Sequence, residues 1–160
     1  MLLELQDAQL VLVDYQAKLM PVIHESESVM ANGLRLAQMA QLLRVPTWGT
    51  EQNPERLGTN PETLRSLCRE TLPKMAFSAC AEGLVESLRP MAKAPQGNAR
   101  SLPKHLQKAV PQSPNRNSVV IAGCEAHVCL LQTALELLEE EFDVWVVTDA
   151  CGSDRKSTRL

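Results

Sequence analysis

The chain has 160 residues, 44% apolar and 22% charged, the composition of a folded globular protein; whole-chain disorder is excluded, and a single domain spanning 1–160 is expected. A net charge of -3 exerts no long-range pull on a phosphate backbone, and two Trp, one Tyr and two Phe leave little for base stacking. A nucleic-acid partner is therefore not expected.

In chain order, Gln9 to Asp14 is the first of several short aliphatic runs without alternation. The others are Val45 to Thr50, Lys74 to Ser78, Ser118 to Gly123 and Asp143 to Thr148. Such runs are strands covered on both faces, which means a parallel sheet between helices. After the first run, Ser26 or Ser28 can cap a helix reaching about Arg44, with Val29, Leu36, Ala40 and Leu43 on one stripe. Asn60 and Pro61 read as the N-cap and first residue of a short helix to about Arg69. Residues 90–117 then break the pattern with five prolines, no acidic residue, and Lys93, Arg100, Lys104, Lys108 and Arg116. This Pro-rich basic insertion is a lid, a partner surface with Leu102, Leu106 and Ala109 along one side, or a solvated loop. The strongest helical pattern follows Gly123: Leu131, Ala134, Leu135, Leu138 and Phe142 form one stripe, while Gln132, Glu136 and Glu140 take the other side. Alternating strands and helices predict an α/β fold in three layers, α/β/α, around a mostly parallel, doubly wound sheet.

No apolar run approaches the roughly 18 residues of a membrane span. Glu4 and Asp7 precede the first basic residue, Lys18, the reverse of a secretory signal. A cytoplasmic protein without a membrane partner is the expectation. Cys68, Cys80, Cys124, Cys129 and Cys151 form an odd set with no CxxC pair, and each is expected as a free thiol.

Cys129 falls in the first turn of the strongest helix, where unpaired N–H groups and the helix dipole favour a thiolate. A dipole worth about 0.3 to 1 kcal/mol lowers a thiol pKa by less than one unit, so a nearby cation is needed as well. Asp14 ends the first strand and Lys74 opens the run KMAFSA. Taken singly, these are a packed core thiol, a loop cap and a solvated strand end. If strands one and four lie side by side where the winding direction switches, Asp14 and Cys129 face one crevice as base and nucleophile.

The segment GCEAHVCLLQTALELLEEEFDVWVVTDACGS, together with LVLVDYQ, TEQNPERLG and KMAFSA, resembles the isochorismatase-like family of cysteine hydrolases over about residues 7–153, the insertion apart. The resemblance implies a catalytic group of Asp14, Lys74 and Cys129. Asp14 would take the thiol proton, Lys74 would steady thiolate and carboxylate, and Cys129 would attack a small amide or ester-like substrate to give an acyl-enzyme. It further implies a cis Cys124–Glu125 peptide, with the N–H groups of Glu125 and Cys129 receiving the oxyanion. Gln16, Glu51, Gln52, Cys124 and His127 are the pocket candidates. A small-molecule substrate and a homo-oligomer follow from the same resemblance. So do a C-terminal helix and strand, which the polar tail CGSDRKSTRL does not supply and which are expected to be missing. Nicotinamidases of the family carry an Asp-x-His metal site near the second strand, where this chain reads WGTEQNP. With His24, His105 and His127 scattered, no metal and no cofactor are expected. The competing reading is a non-enzymatic binding or scaffolding member that keeps the pocket without turnover.

Overall fold

The computed structural model describes residues 2–89 and 116–157. Of the expected insertion only Arg116 and Asn117 are among them; the remainder, with His105, lies outside the described residues. Five parallel strands form one sheet: β1 (Ala8–Val13), β2 (Thr47–Gln52), β3 (Glu70–Lys74), β4 (Ser118–Gly123) and β5 (Asp143–Val146), in the order β3-β2-β1-β4-β5. The chain winds outward from β1 to β3, then returns to lay β4 against the other side of β1. The switch point lies between β1 and β4, where an open α/β sheet gathers its functional groups.

Helices cover both faces. On one, α1 (Ser26–Leu42) presents Val29, Gly33, Ala37 and Ala40 to Leu10, Leu12 and Tyr15. Its small residues let it sit close: a Cβ on Gly33 would meet the Tyr15 ring at 2.7 Å. This buried stripe differs from the expected one, since Leu43 is exposed, and no side chain caps the helix start, where Glu25 holds the N-cap. On the other face, α4 (Leu84–Leu88) and α5 (Leu131–Glu139), with Leu130 just ahead of α5, pack Leu84, Leu88, Leu130 and Leu137 on Val11, Val13, Val119 and Ile121. Ala134 and Phe142 of the expected stripe are buried, whereas Leu131, Leu135 and Leu138 are 43%, 46% and 53% exposed. The helix phase is set one residue earlier, by Cys129 and Leu130, which both point inward. Two short helices, α2 (Pro54–Leu57) and α3 (Glu62–Arg65), link β2 to β3.

The third strand is a correction. It runs from Glu70 to Lys74, pairing Trp48 with Glu70 through Gln52 with Lys74, and the expected run Lys74 to Ser78 leaves the sheet after its first residue. As an edge strand, half exposed, ETLPK shows no continuous apolar run and tolerates Pro73, while Met75 and Phe77 beyond it are exposed. Among the described residues, no helix is long and apolar enough to cross a membrane.

Candidate active site

β1 delivers Asp14, but not by simple alternation. Leu10 and Leu12 face α1, so a continued strand would send Asp14 the same way. Its φ of 51° breaks the run and turns the carboxylate aside; Asp tolerates this left-handed region better than most residues. On the neighbouring strand Gly123 has φ 141°, and a Cβ there would stand 2.0 Å from the Val13 carbonyl oxygen, a closeness only glycine allows. One residue further on, the Cys124–Glu125 peptide bond is cis. Residues Ala126–Leu130 follow as a π-helical turn that carries Cys129, buried, ahead of α5. Such turns are rare and concentrate at functional sites. Thr133 holds the turn, donating its hydroxyl to the Cys129 carbonyl at 2.7 Å while accepting the Ala79 N–H at 3.1 Å.

Lys74 arrives from the end of β3. Its Nζ lies 2.8 Å from Asp14 Oδ2, and neither side chain is exposed. It also donates to Gln52 Oε1 at 2.7 Å and to the carbonyls of Phe77 at 3.0 Å and Ala76 at 3.4 Å. These oxygens fix Lys74 in place beside Asp14. Thr50 donates to Asp14 Oδ1 at 2.7 Å. Cys129 is 6% exposed, and burial pushes its thiol up to about 11; the Asp14 charge adds to this and the Lys74 charge opposes it. Lys74 is already neutralised by Asp14, so burial wins and Cys129 rests as a thiol needing a base.

The structure therefore brings Asp14, Lys74 and Cys129 together, with Gln52 of the pocket candidates beside them. The others serve elsewhere. Glu51 points to the opposite face of β2, where its Oε1 accepts the Asn60 N–H at 2.8 Å and pairs with Arg65 at 3.3 Å. Gln16 is buried and ties down Gln52: its Oε1 accepts the Gln52 N–H at 2.7 Å, and its Nε2 donates to the carbonyls of Gln52 at 2.9 Å and Gly58 at 2.5 Å. Cys124 is buried on the α1 face, its thiol 3.8 Å from Met20 Sδ. His127 is bonded to Ser153 Oγ at 2.9 Å and Ser157 Oγ at 3.2 Å. Two contributors escaped the sequence reading. Thr50 is one, and Glu82 is the other, whose Oε1 accepts the N–H groups of Met75 at 2.7 Å and Ala76 at 2.5 Å and so shapes the loop around the Lys74 ammonium. Their partners are distant or loop-borne, and no motif marks them.

The sequence profile of the isochorismatase domain matches residues 8–158. The human isochorismatase domain-containing protein 2 is 33% identical over 151 residues, covering 94% of this chain and 62% of that protein; the chain thus spans less than two thirds of that relative's length. Among solved structures, the MAR1 ribonuclease from Caenorhabditis elegans is 28% identical with a TM-score of 0.74, over 94% of this chain and 67% of that one. The YcaC gene product from Escherichia coli, an octameric hydrolase of unknown specificity, is 26% identical with a TM-score of 0.77, over 98% and 69%.

Proposed function

This chain belongs to the isochorismatase family, and from that premise we propose that it is a hydrolase with Cys129 as nucleophile, Asp14 as general base and Lys74 as the fixed charge beside both. The observation that carries the reading is the fully buried Lys74–Asp14 contact at 2.8 Å, next to a buried thiol whose ionisation both groups influence.

In the proposed reaction Cys129 Sγ attacks the carbonyl carbon of a small amide or ester. The C–S bond forms, the carbonyl electron pair moves onto oxygen, and the thiol proton passes to Asp14. Collapse of the tetrahedral adduct expels the amine or alcohol, which takes that proton and leaves a thioester. Water then adds with Asp14 again as base, releasing the acid and restoring the thiol. Once Asp14 is protonated, the Lys74 charge is no longer matched by the carboxylate and acts on the sulfur side. The N–H groups of Glu125 and Cys129 receive the oxyanion. In support, the turn commits the N–H groups of Ala126, Val128 and Leu130 to the Gly152 and Glu125 carbonyls.

An uncharged substrate with a C–N bond suits this site better than RNA does. The Lys74 ammonium is buried among Asp14, Gln52 and the carbonyls of Ala76 and Phe77, which leaves it closed to a phosphate. The free state of Cys68, Cys80, Cys124, Cys129 and Cys151 fits a reducing, cytoplasmic compartment, and the octameric relative supports a homo-oligomer. Rapid mixing with a panel of small amides and activated esters tests the reading. The wild type gives a product burst and a mass increment on Cys129, and C129S gives neither. No burst across the panel makes the chain a non-catalytic binding member of the fold.

A further inference from the structure

Asp14 has two oxygens, and the fold treats them differently. Oδ1 accepts the Thr50 hydroxyl at 2.7 Å, with both residues wholly buried. Oδ2 faces Lys74 Nζ at 2.8 Å as an ion contact, with no aligned hydrogen-bond donor. Thr50 is placed by register. It stands opposite Val13 across the β1–β2 pair, and the Asp14 N–H donates to the Thr50 carbonyl at 3.2 Å, so carboxylate and hydroxyl share one rung. A β-branched side chain on a strand has a stiff χ1, which keeps the hydroxyl aimed.

We propose that Thr50 is a positioning residue that decides which oxygen of Asp14 takes the thiol proton. By occupying Oδ1 it reserves Oδ2, the oxygen against Lys74, as the basic site. The inference rests on the hydrolase reading above. In the step concerned the S–H bond of Cys129 breaks, an O–H bond forms at Oδ2, and Thr50 keeps its own proton. Lost hydroxyl means a carboxylate without a donor that favours its charged form, and a base whose oxygens are no longer distinguished. The titratable groups around Asp14 are Lys74 from β3, Cys129 from the π turn and Cys124 at the end of β4.

The test compares Thr50→Val and Thr50→Ala with Thr50→Ser. It has two readouts across pH: alkylation of Cys129 by iodoacetamide, followed by peptide mass spectrometry, and the Asp14 carboxyl resonance by ¹³C NMR. Val and Ala should move the acid limb of alkylation and the carboxyl midpoint up by about one pH unit, and lower the plateau rate about tenfold, the scale of one hydrogen bond. Ser should restore both. A merely structural threonine would lower the melting temperature and leave limb and midpoint unmoved, which overturns the inference. Should wild-type Cys129 react no faster than Cys68, the hydrolase reading falls. The carboxyl midpoint still decides Thr50 in that event: the same value in wild type and T50V overturns its role, and a shift reversed by Ser supports it.

Discussion

Lys74 Nζ lies 2.8 Å from Asp14 Oδ2 with both side chains sealed from solvent, so the site is built on a charge pair that water does not screen. Removing one member of such a pair leaves the other buried and uncompensated, at a cost of roughly 3–5 kcal/mol, whereas replacing both by apolar groups is often near neutral. Lys74→Met should therefore destabilise the protein by about that much in urea unfolding, and the double variant Asp14→Leu, Lys74→Met should recover most of it. A K74M protein as stable as the wild type would mean that the pair is not formed in the folded state.

Glu82 reaches the same centre indirectly, by accepting the N–H groups of Met75 and Ala76 in the loop whose carbonyls face Lys74. Glu82→Ala should slow Cys129 alkylation about tenfold, and Glu82→Gln, whose amide oxygen still accepts, should stay within about twofold of wild type. Since Glu82 is exposed, melting temperatures should barely move. Equal rates for E82A and wild type would remove Glu82 from the account.

Two glycines with positive φ separate strain from collision. Gly83 has φ 103° and open space around its missing Cβ; Gly123 has φ 141° and the Val13 carbonyl oxygen at 2.0 Å. Gly83→Ala should cost about 1–2 kcal/mol, the left-handed penalty alone. Gly123→Ala should cost upwards of about 4 kcal/mol and displace the turn that carries Cys129. Chemical unfolding of both measures the difference, and similar losses would contradict the close approach of β1 and β4.

Asp7 supplies a pH dependence. Its carboxylate accepts the Asn117 N–H at 2.7 Å and the Ser118 hydroxyl at 2.6 Å, and these bonds, the Asn117 one first, hold its pKa below 3.8. A folded value lower than the unfolded one stabilises fully above 3.8, and the contribution is lost as pH falls through the folded value. Asp7→Asn should thus melt below wild type at neutral pH, with the gap closing as pH falls below 3.8. A gap of constant size would show that the carboxylate charge plays no part in tying β4 to the chain ahead of β1.

The parts of the fold that were legible in the sequence are those fixed by local pattern. β1 and β4 are rich in aliphatic residues and largely buried, and their adjacency at the switch point follows from the order of winding. β3 was misplaced because an edge strand carries a proline and polar residues, while the more apolar KMAFSA next to it is an exposed loop. In α5 the spacing was read correctly but the phase was not, because the inward direction is set by Cys129 and Leu130 rather than by the larger count of leucines. At the site, motifs placed Asp14, Lys74 and Cys129. Thr50 was missed because its bond to Asp14 spans 36 residues and depends on strand register, which no local pattern carries.

Gln16 gives the sheet an unusual seam. Beyond the rung that the Asp14 N–H makes to the Thr50 carbonyl, the amide of Gln16 continues the pairing, meeting both the N–H and the carbonyl of Gln52. A side-chain amide has a peptide's donor and acceptor but hangs on a tether of fixed length, so this rung works at one reach only. Asparagine, one methylene shorter, would span too little, and the main chain there is already committed to the turn. The upper end of the β1–β2 pair is therefore closed by one buried side chain rather than by backbone.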